Sequence, residues 1–189
     1  QANTVKELVA LAKARPGSLS YGSAGTGGIS HMAAELFSME TGINIVHIPY
    51  KGGSTALTDL LGGRVQMMFS GPGAVMQQIR ARKLTALAVA NSSRATGLED
   101  VPTFDEAGYP SVKASNWFGM LTTAGTPKSV VDKLNREIVR IVQLPEVRER
   151  FLANGYNPVS NTPQAFAQFI RDDLAKWQKV VKAAGIRVD

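Results

Sequence analysis

Short apolar runs alternate with helical segments over residues 4–90 of this 189-residue chain. Helices are predicted over residues 4–14, 28–41 and 54–61, with a fourth ending at 83, and strands over 19–22, 43–48, 65–69 and 84–90. Such alternation favours a doubly wound α/β domain with a parallel sheet, in which ligands lie at the carboxyl ends of the strands. The pattern therefore predicts that loops 23–30, 49–54 and 70–73 share one edge of the sheet.

The second part of the chain is predicted to be mostly helical. A polar, turn-rich stretch over 91–112 precedes an apolar run at 115–121 that predicts another strand. Helices are then predicted over 126–144, 145–154 and 162–184, the first with Thr126 as N-cap and Pro127 at its first helical position. This part has too little strand to form a domain of its own, so its helices are expected to pack on another element.

The loop between the first strand and the second helix has the composition of an anion-binding site. Its residues are Ser23, Ala24, Gly25, Thr26, Gly27 and Gly28, and Ser30 and His31 begin the helix. Glycine allows close backbone approach to a ligand, and a helix start supplies unpaired N–H groups with partial positive charge. A carboxylate fits best because a few neutral donors suffice to hold it. A tight strand-to-helix turn without any ligand remains the alternative.

Nucleotide-binding motifs match this loop poorly. No lysine follows Gly27 or Gly28, as a phosphate-binding P-loop requires, and the third glycine of a dinucleotide fingerprint would fall at Ser30. Ser23 also lacks a nucleophile-elbow frame, because Tyr21 stands where the first glycine belongs. An anion-dependent transferase or hydrolase that uses Ser23 or His31 is nevertheless kept as the second functional hypothesis.

The formal net charge of +6 raises nucleic acid as a partner, but the distribution of the charge does not support it. One set of basic residues lies at the C-terminal end of the helix that ends at Lys83, and a second set lies along one face of the last helix. Aromatic residues make up only 7% of the chain and do not alternate with these basic residues. A nucleic-acid partner is therefore not expected. With two histidines and no cysteine, neither a metal site nor a cofactor is expected.

Ordered motifs along the whole chain resemble the Bug-type solute receptors of tripartite tricarboxylate transporters. They include Tyr-Gly-Ser-Ala-Gly at 21–25 and Val-His-Ile-Pro-Tyr-Lys-Gly-Gly at 46–53. Further matches lie at 31–37, 56–63, 84–89, 100–108, 117–119, 124–127 and 177–185. The resemblance implies a periplasmic binding protein with a type II-like two-lobed fold. Such a protein captures a small carboxylate, either a di- or tricarboxylate or an acidic amino acid-like solute, and delivers it to a membrane permease without catalysis.

The resemblance also implies that the chain is part of a longer protein. Residues 1–115 would form the second ligand-binding lobe, and residues 116–189 would be the hinge strand and helices of the first lobe. In the absence of the rest of that lobe, exposed apolar faces would favour self-association or complementation by the N-terminal lobe. The isolated chain is then expected to bind carboxylates weakly or not at all.

The resemblance places the carboxylate loop on residues 23–28 with Ser30 and His31, and it adds Tyr50 and Ser70 to the ligand-binding set. His31 could donate to a bound carboxylate or could brace the loop from behind, and bracing is the preferred interpretation. Tyr50 could reach the ligand cleft or could lie at the hinge. Ser70 stands where many family members carry an acidic or amide side chain, which leaves a preference for amine-bearing ligands open.

Overall fold

A computed structural model of the chain describes residues 2–187 and shows an α/β fold. The strands are β1 (Ser20–Ser23), β2 (Val46–Pro49) and β3 (Met67–Met68). The helices are α1 (Val5–Ala14), α2 (Ile29–Thr41), α3 (Gly53–Leu61), α4 (Pro72–Arg80), α5 (Lys128–Val142), α6 (Pro145–Ala153) and α7 (Pro163–Ala184). The predicted helices are confirmed to within three residues at their ends. No helix in the described range is both long and apolar enough to cross a membrane.

The chain divides into two units. The first comprises Gln1–Asn116 together with Gln178–Asp189, and the second comprises Trp117–Trp177. The assignment of residues 1–115 and 116–189 to two different lobes of a receptor stays a prediction. Gln1 and residues 188–189, which fall at the outer ends of these two predicted segments, lie outside the described residues.

The three strands of the first unit form a parallel sheet in the order β2-β1-β3. Tyr21 of β1 is in register with His47 of β2 on one side and with Met67 of β3 on the other. The connection from β2 to β3 therefore passes from one side of β1 to the other. This arrangement confirms the predicted parallel sheet, and it brings the loops that follow the three strands to one edge, with the loop after β1 in the middle.

The core of the first unit forms between the sheet and the apolar faces of α1 and α2. Its helical members are Val5, Leu8, Val9 and Ala12 from α1 and Ala34 and Phe37 from α2. The Phe37 ring packs against Phe69, Phe104 and Tyr109 at centroid distances of 5.5–6.4 Å. Since Phe37 is 1% exposed and contacts one ring just after β3 and two rings of the polar 91–112 stretch, it ties that stretch to the sheet.

The predicted strand over 84–90 is wrong. Only Val89 forms a β-bridge, to Thr103, with hydrogen bonds from the Val89 N–H to Pro102 O (2.8 Å) and from the Phe104 N–H to Val89 O (3.0 Å). A longer ladder does not form because Pro102 has no N–H to donate and the chain turns directly afterwards. The apolar run still packs on the core, which explains its hydrophobic character.

The predicted strand over 115–121 is also wrong, since these residues form no ladder. Within the described residues, the backbone N–H and C=O groups of 117–121 find no strand to pair with. Phe118, Met120 and Leu121 are 68–75% exposed. An apolar run therefore predicted a strand where the structure has an irregular segment without a partner. Thr126 does not cap α5 either: its hydroxyl donates to Thr123 O (2.9 Å), and Pro127 takes the N-cap position.

The second unit is organised around Trp117 and the first part of α7. The Trp117 indole N–H donates to Asp173 (2.9 Å), and its ring meets the edges of the Phe166 and Phe169 rings. Gly119 lies directly against the Phe166 ring, so close that an added Cβ would lie 2.9 Å from Phe166 Cε1. A side chain at this position would therefore overlap the ring unless the ring moved.

Candidate functional site

The loop between β1 and α2 (residues 23–30, the anion loop) lies at the centre of the sheet edge. Gly25 and Gly27 have φ angles of 139° and 77°, which only glycine adopts without strain. Ser23 at the base of the loop is fully buried, whereas Ala24, Thr26 and residues 27–28 are exposed. The loop therefore presents backbone, rather than long side chains, to the space above the sheet.

Four N–H groups of the anion loop are already used within it. They donate from Ala24 to Ser30 Oγ (3.0 Å), from Gly25 to Ser23 Oγ (3.2 Å), from Gly27 to His31 Nδ1 (3.0 Å) and from Gly28 to Gly25 O (3.4 Å). Two serine hydroxyls and one imidazole thus fix the loop from inside. The side chains of Ser23, Ser30 and His31 therefore have defined loop-bracing contacts.

A second group of N–H donors has no acceptor within residues 2–187. These are the backbone N–H groups of Thr26, Ile29, Ser30 and His31. The last three belong to the first turn of α2, whose N-cap Gly28 provides no side-chain acceptor and whose first turn contains no acidic residue. The partial positive charge of the helix start is therefore not compensated by the protein. These donors are sufficient in number for the two oxygens of a carboxylate.

Five side chains pack together behind the anion loop, and we call them the histidine cluster: Tyr21, Ser23, His31, Glu35 and His47. The two imidazole rings stack with a centroid distance of 3.8 Å, and His47 Nε2 lies 2.6 Å from Ser23 Oγ. The Tyr21 ring stacks on His47 at 4.9 Å, and its hydroxyl donates to Glu35. Glu35 Oε1 also lies 3.7 Å from His31 Nε2. The cluster connects α2, β1 and β2 beneath the loop.

Burial sets the charge state of this cluster. It lowers the pKa of His31, an effect that the nearby Glu35 carboxylate partly offsets. Burial, and secondarily the neighbouring His31, lowers the pKa of His47 to about 4. Burial, followed by the hydrogen bond to Glu35, raises the pKa of Tyr21. Both imidazoles are therefore neutral near pH 7, and Tyr21 remains a hydrogen-bond donor.

Three members of the cluster were not among the residues predicted from the sequence: Tyr21, Glu35 and His47. A signal existed for two of them, His47 and Glu35. His47 alternates with exposed residues on a strand, and Glu35 lies one helical turn after His31. The pairing of Tyr21 with His47 depends on the strand register, which the sequence alone does not define.

Tyr50 and Ser70 lie at the same edge of the sheet but have other partners. The Tyr50 N–H donates to Ser23 O (3.0 Å), and the Tyr50 hydroxyl donates to Asp59 (2.8 Å), which also pairs with Arg64. This hydrogen bond raises the pKa of Tyr50. Ser70 follows β3, is exposed, and its hydroxyl contacts the carbonyl of the next residue (3.4 Å). Neither hydroxyl contacts the anion loop.

The Ser23–His47 contact has the distance of a nucleophile and its general base. Ser23 is 0% exposed, however, so a substrate has no path to its hydroxyl. The geometry therefore does not favour the transferase or hydrolase hypothesis. Within residues 2–187, no group of three histidine or acidic side chains is placed to hold a metal ion.

Comparison with known proteins gives consistent matches over nearly the whole chain. Residues 1–186 match the family described as "Tripartite tricarboxylate transporter family receptor". Protein BugT of Bordetella pertussis is 39% identical over 186 residues, which are 98% of this chain and 57% of BugT. The chain thus spans little more than half the length of this curated relative.

Two solved structures of similar fold have names that include a bound acid. "R. palustris Rpa4515 with adipate" is 32% identical, with a TM-score of 0.83 over 98% of this chain and 62% of that one. "MatC (Rpa3494) from Rhodopseudomonas palustris with bound malate" is 27% identical, with a TM-score of 0.77 over 94% and 62%. Both proteins have the fold described above over nearly all of this chain.

Proposed function

The chain belongs to the tripartite tricarboxylate transporter receptor family, and from this membership we propose that it forms part of a periplasmic receptor for a small carboxylate. The receptor binds its solute and delivers it to a membrane permease of the transporter, with no chemical step. Because the chain spans little more than half of BugT, residues 1–115 would supply one lobe of the receptor. Residues 116–189 would supply the segment that returns to the other lobe and the helices of that lobe.

The observation that carries this proposal is the set of free N–H groups at Thr26, Ile29, Ser30 and His31. A charge-assisted hydrogen bond contributes about 1.5–3 kcal/mol, so two or three of them supply roughly 4 kcal/mol after binding costs. That value corresponds to a dissociation constant of about 1 mM, whereas micromolar affinity needs about 8 kcal/mol. The remaining half would come from the complementary lobe of the receptor.

The names of two similar structures support a dicarboxylate as the solute class, since one includes adipate and the other malate. The remaining predicted ligand residues, Tyr50 and Ser70, flank the anion loop on the same edge of the sheet and would contact the part of the solute beyond its first carboxylate. We propose that the first carboxylate is held by backbone N–H groups and the brace side chains remain behind the loop.

An NMR titration of the ¹⁵N-labelled chain tests this proposal. Adipate and malate should shift the amide signals of Thr26, Ile29 and Ser30, with dissociation constants of about 1 mM. The uncharged diol of the same length as adipate serves as the control and should produce no such shifts. Submillimolar binding would contradict the half-site estimate, and equal shifts with the diol would contradict carboxylate recognition.

A matched pair of variants at Ile29 tests the individual donor. Ile29 is the first helical residue, a position that tolerates proline, and the preceding Gly28 has the extended ψ of 165° that proline requires. Ile29→Pro therefore removes one N–H group with little backbone change, and we expect adipate affinity to fall about tenfold. Ile29→Ala keeps that N–H group while it shortens the side chain, and should bind adipate as the wild type does. Equal affinities of the two variants would exclude this N–H group from the site.

A further inference from the structure

The brace of the anion loop contains one acceptor that protonation can remove. Serine hydroxyls and a backbone carbonyl accept hydrogen bonds at any pH, and they hold Ala24, Gly25 and Gly28. The Gly27 N–H instead donates to His31 Nδ1, and an imidazole nitrogen accepts only when it carries no proton. The Gly27 contact is therefore the one pH-sensitive hydrogen bond among these four.

This contact defines the tautomer of His31. Since Nδ1 accepts from Gly27, the single proton of the neutral ring is on Nε2, which faces Glu35 Oε1 at 3.7 Å. A second proton could only go to Nδ1, where it would face the Gly27 N–H. Two donors would then oppose each other inside a side-chain environment that is only 5% exposed.

The neighbouring groups do not compensate for such a charge in full. Two titratable groups face the pair of imidazole rings, Tyr21 from β1 and Glu35 from α2. In addition, each ring faces the other. Glu35 already accepts from the Tyr21 hydroxyl, and the second ring of the stack, His47, is 3.8 Å away. One protonated ring would therefore oppose protonation of the other.

We propose that His31 is a positioning residue that holds the anion loop in its binding conformation only while its ring is neutral, and that His47 supports the same loop through Ser23. Acidification releases the loop, because protonated His31 can no longer accept from Gly27. His47 maintains the second anchor through Ser23, whose hydroxyl accepts from the Gly25 N–H. The lowered pKa values of both histidines fit this role. That the loop binds an anion rests on the proposed function, whereas the contacts of His31 and Ser23 that hold the loop can be tested without ligand.

The test is an NMR pH titration of the ligand-free chain with ¹⁵N-labelled imidazoles and amides. We expect His31 to carry its proton on Nε2 at neutral pH, and the Gly27 amide signal to shift with the same midpoint as the His31 ring. That midpoint should lie below the ordinary histidine pKa of about 6.5. A proton on Nδ1 at neutral pH, or a Gly27 amide that does not respond to titration of His31, would overturn the proposal.

Two variants separate positioning from simple packing. His31→Asn places an amide oxygen near the position of Nδ1 and cannot be protonated, so Gly27 should stay protected from hydrogen exchange as the pH falls. His31→Leu fills the space without an acceptor, and its Gly27 amide should exchange about tenfold faster than in the asparagine variant at every pH. Equal exchange in the two variants would overturn the proposal. The wild-type titration decides the question on its own if either variant fails to fold.

Adipate titrations of the wild type and of His31→Asn distinguish failure of this inference from failure of the proposed function. Loss of adipate affinity on acidification in the wild type but not in His31→Asn supports both. Adipate binding with the same pH dependence in the two proteins overturns the positioning role and leaves the function intact. Coupled titration of His31 and Gly27 without any adipate binding supports the brace and contradicts the assignment of the anion loop as the carboxylate site.

Discussion

The stability of the first unit should depend on pH through its two histidines. We expect the wild type to lose stability between about pH 7.5 and about pH 5, and the double variant His31→Asn with His47→Gln to lose almost none. Asparagine and glutamine keep polar atoms near the positions of Nδ1 and Nε2, respectively, but neither can be protonated. The chain has no other histidine.

The sign and size of this change in the free energy of unfolding follow from the structure. The pKa of His47 is lowered from 6.5 to about 4, so the unfolded chain binds its proton first. Its stabilising contribution is complete above pH 6.5 and is lost as the pH falls towards 4. Linkage gives a loss of about 2 kcal/mol between about pH 7.5 and about pH 5 for a fully buried ring. Since His47 is only partly buried, solvent screening reduces this to about 1 kcal/mol. The lowered pKa of His31 adds a contribution of the same sign.

The two arginine-paired carboxylates, Asp59 and Glu106, do not interfere in this pH range. Pairing with Arg64 lowers the pKa of Asp59, and pairing with Arg94 lowers the pKa of Glu106. Their stabilising contributions are therefore lost below the ordinary carboxyl pKa values of 3.8 and 4.5, outside the range tested. A stability difference between wild type and double variant above pH 5 thus reports on the histidines.

The assay is a urea titration at both pH values, followed by resolved amide signals of the first unit in two-dimensional NMR spectra. Ala12 and Ala34 are suitable reporters because both are completely buried in its core. The signals of α5, in the second unit, provide a reference on the same sample. If the free energy of unfolding falls by the same amount in wild type and double variant, the assignment of neutral, buried imidazoles is refuted.

Three further substitutions test the packing and the loop. Phe37→Ala should lower the free energy of unfolding of the first unit by about 3–5 kcal/mol in the urea assay, and Phe37→Leu, its control, by about 1.5 kcal/mol or less; similar losses would contradict the ring packing. Ser30→Ala removes the acceptor for the Ala24 N–H and should cost about 1 kcal/mol or less, seen as faster exchange of that amide with α1 unaffected; unchanged exchange would contradict the brace. Gly119→Ala should displace the Phe166 ring and change tryptophan fluorescence, whereas Gly71→Ala, with open space around its Cβ position and no positive φ, should leave that ring in place; an unchanged spectrum for Gly119→Ala would contradict the close contact.

The helices were predictable from their apolar periodicity and, in α1 and α2, from local signals at their ends. Thr4 caps α1 through its side chain and Gly42 ends α2 in a left-handed conformation, and both signals can be read directly from the sequence. The parallel sheet was predictable for a related reason, since the alternation of strands and helices leaves few other topologies. These features depend on interactions within a few residues or on a single repeated pattern.

The two incorrect strands show where this reasoning fails. An apolar run indicates burial or the need for a partner, but a strand forms only if a second backbone segment lies alongside it. Val89 forms only a single bridge, because Pro102 in the opposing segment has no N–H group to extend the pairing. Residues 117–121 find none within the described chain. Pairing is a property of two segments, and the pattern of one segment cannot specify it.

The candidate site was predictable as a loop but not as a set of donors. Composition located residues 23–30, yet every N–H group in the loop was an equal candidate at that level. The structure divides the loop donors into two groups: four are used for the fold of the loop, and Thr26 together with the first turn of α2 remains free. The division depends on where Ser23, Ser30 and His31 place their acceptors, which requires the strand register and the start of the helix.

The same division separates a receptor from an enzyme. A nucleophilic serine needs access to substrate, but the burial of Ser23 and its contacts with His47 and Gly25 commit its hydroxyl to holding the loop. An anion receptor instead needs donors that keep their positions when no ligand is bound, because ordering them during binding would reduce affinity. Side chains that would look catalytic by distance alone are therefore better explained as the support of a backbone site. In the proposed receptor the unpaired N–H groups would bind the anion, and the buried polar groups keep them in position.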